Sequence, residues 1–328
     1  MTRSVRLRRF EDRDYAAIAA VANAIFPDDP RDAEDIRRRD RLWDGERYDL
    51  LRLVGENATG QIVAWGQLNH LPHHFHPGRY RIGIYVEPGS QRRGVGGQIH
   101  DCLQRELRGR RAAVVGARAR SDMAESVRFL TRRGFAPVEE TAESRLNVAD
   151  FDPRCADEAE ARLAAEGIAI TTLAAERDRN RHVLPDVHAL YLACLRDVPT
   201  AGATTDVPFR QFVAREIEAP NVVPEAIFLA VADGCYVGMC AFVRHPGLPD
   251  VLSGRMTGSL PSVRGRGIVS ALKLRMAAYA HAHGFREIRT WNSAQNTAMV
   301  GINERMGFVR HTAWITLQRD ESEFPGMS

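Results

Sequence analysis

Two short glycine-rich segments have residue types and spacing that could do chemistry. Gln91-Arg92-Arg93-Gly94-Val95-Gly96-Gly97 follows Val86-Glu87-Pro88, and Arg264-Gly265-Arg266-Gly267-Ile268-Val269 follows Leu260-Pro261. Each lies where an alternating, strand-like segment stops and helical spacing begins. A strand end, a glycine turn and a helix start present unpaired backbone N–H groups and the positive end of a helix dipole, which together bind anions, phosphate above all. Glycine lets the backbone approach the phosphate oxygens, and Arg92 and Arg93 could add charge-assisted contacts. No Gly-Lys-Ser/Thr follows either loop, and no acidic residue ends a strand about 20 residues later, so neither a Walker loop nor a dinucleotide fingerprint is present. The two loops belong to a longer repeat. An offset of 173 (267 minus 94) carries Gly94 to Gly267, Gly134 to Gly307 and Phe135 to Phe308 without a gap, which makes the chain a duplicated domain.

The elements that must position these loops recur in the same order. In the first half the patterns predict strands at Val5–Phe10, Asp49–Glu56, Gln61–Leu71, Tyr80–Val86 and around Val114-Val115, with a last strand from Phe135 to Val148. Helices are predicted from about Asp14 to Ile25, from Gly94 onward, and from Glu125 to Arg133. The second half predicts a strand at Ile168–Leu173, helices at Val183–Arg196 and Phe209–Ile217, and strands at Ala226–Ala232, Tyr236–Val243 and Val251–Leu260. After its glycine loop come helix Val269–His283, strand Ile288–Trp291, helix Thr297–Met306 and strand Phe308–Leu317. Residues 150–167 are charged and alanine-rich and read as a linking helix capped by Gly167, between domains at 1–149 and 168–328.

Composition bounds the function. A chain of 328 residues with 44% hydrophobic and 27% charged residues is an ordinary globular composition, long enough for two cores. No apolar run has the length of a membrane span and Met1–Phe10 is basic without an apolar core behind it, so the expected setting is cytoplasmic, without membrane insertion. Five cysteines without Cys-x-x-Cys suggest neither a disulfide framework nor a zinc site. A net charge of +3 is too small for nucleic acid to be the main partner. Among other candidates, His70, His73, His74 and His76 read as a hairpin loop rather than a metal site, with one of them a possible proton acceptor. Cys102 reads as core, and Glu125 as a solvated helix face or a base. Lys273, the only lysine, reads as a phosphate contact or an exposed residue.

Taken together, the repeat resembles the GNAT superfamily of acyl-CoA-dependent N-acetyltransferases. The motif Gln/Arg-x-x-Gly-x-Gly/Ala stands as Gln91 to Gly96, and the pattern Asn-x-x-Ala…Gly-Phe is matched in part by Asn296-Thr297-Ala298-Met299 through Gly307-Phe308, with Met299 in the Ala place. The resemblance covers both halves, so the chain resembles a tandem GNAT protein, an architecture also shown by mycothiol synthases. It implies an α/β fold with a mixed sheet in each half and acetyl-CoA as co-substrate. Its pyrophosphate would lie on the glycine loop and its pantetheine arm between two splayed strands. Carried over, the cofactor-binding positions are Val86, Arg92, Arg93, Gly94, Val95, Gly96 and Gly97 in the first half. In the second they are Leu260, Arg264, Gly265, Arg266, Gly267, Ile268, Val269 and Asn296, and Asn292 at the strand end reads equally as a contact to the pantetheine or substrate or as a helix cap ahead of Asn296. The implied activity is acetyl transfer to a primary amine of a small molecule, by a monomer or homodimer. A non-catalytic acyl-CoA sensor or scaffold is the alternative, because the family's frequent general-acid tyrosine is replaced by Leu130 and Asn303. An amide is no proton donor of that kind. The copies also differ from each other: Val269 stands where the first loop has Gly96, and Met123 where the second half has Asn296.

Overall fold

The computed structural model describes residues 5–199 and 204–321. Through the first half the order is β1 (Arg6–Arg9), α1 (Tyr15–Ile25), α2 (Ala33–Arg41), β2 (Leu50–Glu56), β3 (Ile62–Asn69), β4 (Arg79–Val86), α3 (Val95–Gly109), β5 (Val114–Arg120), α4 (Ala124–Thr131) and β6 (Ala136–Asn147). The chain continues through α5 (Arg154–Ala165), β7 (Ile168–Thr172), α6 (Leu173–Arg179), α7 (Val183–Arg196) and α8 (Phe209–Phe212). It ends with β8 (Val222–Ala232), β9 (Cys235–His245), β10 (Leu248–Ser259), α9 (Ile268–Ala282), β11 (Glu287–Ser293), α10 (Thr297–Arg305) and β12 (Val309–Asp320). Both halves therefore carry the predicted mixed α/β order.

The described residues form two compact units, 5–138 with 315–321, and Glu139–Trp314. In the first, strands lie in the order β1-β2-β3-β4-β5, with the end of β12 beside β5. One face is covered by α3, whose Ile99, Leu103 and Leu107 pack with Leu53, Leu68, Ile82, Val115 and Leu317. The other is covered by α1, whose Tyr15, Ile18 and Val21 meet Val54 and Trp65. A Cβ on Gly66 of β3 would lie 2.3 Å from an Ile99 methyl, so α3 sits as close to the sheet as glycine permits. In the second unit the order is β6-β11-β10-β9-β8-β7. Here α9 packs Ala271, Leu272 and Met276 on one face with Phe242, Leu252 and Ile288, while α7 packs Val187, Leu190 and Tyr191 on the other with Ile227 and Met239.

The two compact units divide at Val138/Glu139, because the strand after each Gly-Phe pair does not stay with its own half. Thr141–Asn147 of β6 pair antiparallel with β11 inside the second unit, whereas Ile315 and Leu317 of β12 join the core of the first. Within residues 150–167, α5 ends in a turn closed by Gly167 (φ 76°), and its Ala159 and Leu163 are buried in the same core as α9. Two further helices, α2 and α6, carry no apolar period. They are held by caps, Asp32 accepting from the N–H of Glu34 and Asp35, and Thr172 accepting from Ala175 N–H.

Candidate functional site

Each glycine loop sits at the end of a parallel strand pair that separates. In the first unit β4 pairs β5 at Arg79–Arg81 with Val114–Gly116, and the strands then run on apart to Val86 and Arg120. In the second, β10 pairs β11 at Val251–Ser253 with Glu287–Arg289 before running on to Ser259 and Ser293. After β4 and β10 comes one short helical turn, Pro88–Ser90 or Pro261–Val263, closed by Gln91 N–H to Pro88 O or Arg264 N–H to Pro261 O. Gln91 also donates its side-chain amide to Val86 O at 2.9 Å, tying loop to strand.

The two loops then repeat almost angle for angle. Gly94 (φ 82°) and Gly267 (φ 80°) are the left-handed residues before α3 and α9. Gly265 (φ 79°) is matched by Arg92 (φ 61°), a left-handed residue with a side chain, a conformation that costs on the order of 1–2 kcal/mol. Among the described residues the backbone N–H groups from Arg92 to Gly97 and from Gly265 to Ser270 donate to no acceptor, while Gln98 and Ala271 open the helical ladders. Six successive free amides at a helix start form a nest that fits a pyrophosphate. A Cβ on Gly96 would meet Phe129 at 3.6 Å and Val86 at 3.8 Å, ordinary contact, so packing within the protein does not demand glycine there. Val269 occupies the matching place half-buried.

The charged side chains of the loops are mostly engaged. Arg92 pairs with Glu125, which also holds Arg128 at 3.0 Å, so Glu125 is part of an exposed ion-pair group beside the loop. Arg264 pairs with Asp197, and Arg266 with Glu166 at 2.9 Å. Arg133 lies with its guanidinium 3.7 Å over the Phe129 ring and 3.5 Å from where a Gly97 Cβ would be.

Beyond the loops the halves diverge. Asn296 caps α10, its oxygen accepting from Met299 N–H at 3.2 Å. Asn292, at the end of β11, accepts at 2.8 Å from the side-chain amide of Asn303, which is buried with its own oxygen lacking a partner. Leu130, the matching residue of the first unit, is core. β10 also carries a register shift against β9 between Gly254 and Thr257, whereas β4 pairs β3 without one. A bulge leaves a backbone group of its strand outside the ladder. Next to it Arg255 reaches Glu216 at 3.7 Å, and Glu216 lines a pocket with Tyr191, Phe212, Met239 and Met256. Glu216 sits in a wide helical turn, Val213–Ile217, closed by Glu218 N–H to Val213 O. Burial, with the charge of Glu216 behind it, pushes the Tyr191 hydroxyl above its ordinary range. Periodicity had no means of singling out Glu216; the only signal was a carboxylate among apolar residues.

Other candidates resolve into structural roles. His70 accepts from Asp49 N–H at 2.9 Å and packs against Tyr80, a hairpin fastening. Cys102 packs at the edge of the first core and accepts from Arg105 at 3.1 Å. Lys273 is not exposed. It is 1% exposed, between the rings of Phe242 and Phe308. Among the described residues no helix is long and apolar enough to cross a membrane.

Known proteins agree with this geometry. The model of the acetyltransferase (GNAT) family matches residues 16–135 and again 185–308. A mycothiol acetyltransferase of Geodermatophilus obscurus is 29% identical over 240 residues, 72% of each chain. A tandem GNAT protein from the clavulanic acid biosynthesis pathway superposes with a TM-score of 0.74 at 18% identity, over 97% of this chain and 98% of that one. A GCN5-related N-acetyltransferase from Sphaerobacter thermophilus superposes at 0.70 with 18% identity, over 96% and 95%. These two structures share the fold.

Proposed function

This chain belongs to the acetyltransferase (GNAT) family, once in each half, and from that premise we propose that it transfers the acetyl group of acetyl-CoA to a primary amine of a small molecule in the cytoplasm. The observation that carries this is the pair of amide nests at the mouths of two parting strand pairs. In this reading Arg92, Arg93, Gly94, Val95, Gly96 and Gly97 hold the pyrophosphate in the first unit, with Val86 at the strand end. Gly265, Arg266, Gly267, Ile268 and Val269 do so in the second, flanked by Leu260 and Arg264. The acyl thioester brings its own leaving group. The protein orients the amine, keeps water out and offers N–H groups where negative charge develops.

The second unit is the better candidate for turnover. Its β10 bulge frees a backbone group beside the parting strands, and Glu216 supplies a carboxylate that can hold an ammonium and take its proton. Asn292 and Asn303 position rather than protonate, with Asn296 holding the start of α10. Calorimetric titration with acetyl-CoA, then thiol release over a panel of primary amines, tests the reading. Gly94→Glu and Gly267→Glu each place a carboxylate in a nest, and the expected outcome is acetyl-CoA affinity lower by about tenfold or more at the altered loop. Unchanged affinity in both variants would refute the loop assignment.

A further inference from the structure

The first unit carries a cationic cluster that the glycine loop does not use. Arg81, Gly83 and Tyr85 follow one another at alternate positions of β4, on the face that α1 covers. Because Gly83 has no side chain, the Tyr85 ring leans back over it: a Cβ there would meet the ring at 3.0 Å and the hydroxyl at 3.4 Å. Trp65, directly opposite on β3, stacks on that ring at 4.0 Å and 12°. Its indole N–H is buried without a partner. Arg31, from the segment between α1 and α2, lies 5.2 Å over the Tyr85 ring and hydrogen-bonds its hydroxyl. Arg118 adds positive charge from β5, two residues beyond Gly116, the strand partner of Arg81.

Among the described residues the charged groups that bear on Arg81 are Tyr85 and Arg31, and no carboxylate forms an ion pair with either arginine. Burial pushes the Arg81 guanidinium below its ordinary range, with Arg31 adding to the shift. Burial alone would raise the Tyr85 phenol, yet Arg31, Arg81 and Arg118 outweigh it and hold the group below its ordinary value. A desolvated cation beside a second cation is costly unless an anion joins them. The second unit has nothing comparable, since Gly83 and Tyr85 map to Met256 and Gly258.

We propose that this face of the first unit binds a small organic carboxylate, its oxygens between Arg31 and Arg81 and its apolar body against Trp65, Tyr85 and Phe26. Arginine forks match a carboxylate in two-point contact, and the aromatic wall favours a flat or apolar body over a hydrated one. The site stands whether or not the first unit turns over acetyl-CoA.

Full-length protein titrated with phenylacetate, inorganic phosphate and spermidine, by calorimetry and tryptophan emission, decides the matter. Phenylacetate should bind saturably, with Arg31→Met and Arg81→Met each weakening it by about tenfold or more. Trp65→Phe should retain binding and lose the emission change. Acetyl-CoA affinity should move by less than about twofold in the arginine variants, since removing one charge-assisted contact shifts only ligands that use it. Tighter binding of phosphate or spermidine overturns the carboxylate assignment. Parallel loss of acetyl-CoA affinity overturns it too, because the arginines then serve the co-substrate. Absence of saturable phenylacetate binding, or equal binding by both variants, also overturns it. Arg81→Met should keep or raise the melting temperature, since it removes a desolvated charge that no carboxylate pairs. If Arg81→Met does not fold, Arg31→Met and Arg81→Lys carry the comparison.

Discussion

Lys273 shows what a single residue can cost a core. Its amine lies among Phe242, Phe308 and the Cys240 thiol, and burial holds its pKa below the ordinary lysine value of 10.5. The unfolded chain therefore binds a proton that the folded chain releases more readily, so this residue lowers stability as pH falls from about 10.5 toward the depressed pKa. Lys273→Met should remove that dependence and raise the melting temperature at neutral pH, by on the order of 1–4 kcal/mol in free energy. Thermal unfolding at pH 7 and pH 10 checks it: the gain should shrink at the higher pH, and a loss of stability at pH 7 would count against an uncompensated charge. Sequence could not see this. Lysine at helical spacing one turn past a glycine loop reads as surface or ligand, and only the packing of α9 shows which face it takes. Asn303 was hidden likewise, because an amide's partners lie on a different element.

Elements were more legible than residues, for a physical reason. Strands and long helices bury one face, so apolar spacing marks β2 to β5, α1, α3, α7 and α9 in the sequence itself. Polar helices such as α2 bury almost nothing and leave only a cap as a trace. The glycine loops were legible because positive φ at Gly94 and Gly267 constrains residue type directly. Clefts were not, since whether β4 and β10 bulge, and what α1 or α7 lays over them, depends on partners far along the chain. Packing of α3 against β3 gives a test at this level. Gly66→Ala puts a methyl group into Ile99 and should destabilise the protein by about 1–3 kcal/mol through overpacking, measured by denaturant unfolding. The second-site change Ile99→Ala should recover part of that loss; no recovery would mean the helix–sheet distance is not the cause.

At the scale of the whole molecule, duplication kept the nests and changed the side chains on the sheet faces that α1 and α7 cover. The first unit presents arginines and a phenol beside its parting strands, and the second a carboxylate among apolar side chains. The exchange of last strands also bears on how the chain can be cut. A fragment of residues 1–149 lacks Ile315 and Leu317, which complete the core around Val115 and Ala117. Expressed alone it should lack a cooperative thermal transition and be digested rapidly by protease, while the full chain resists. A cooperatively folded, protease-resistant fragment would show that β12 is dispensable to that core. The same exchange sets an order of events on the ribosome. The half made first cannot close its sheet until Ile315 and Leu317 have left the exit tunnel, so it must wait, partly exposed, until nearly all of the later half has been made.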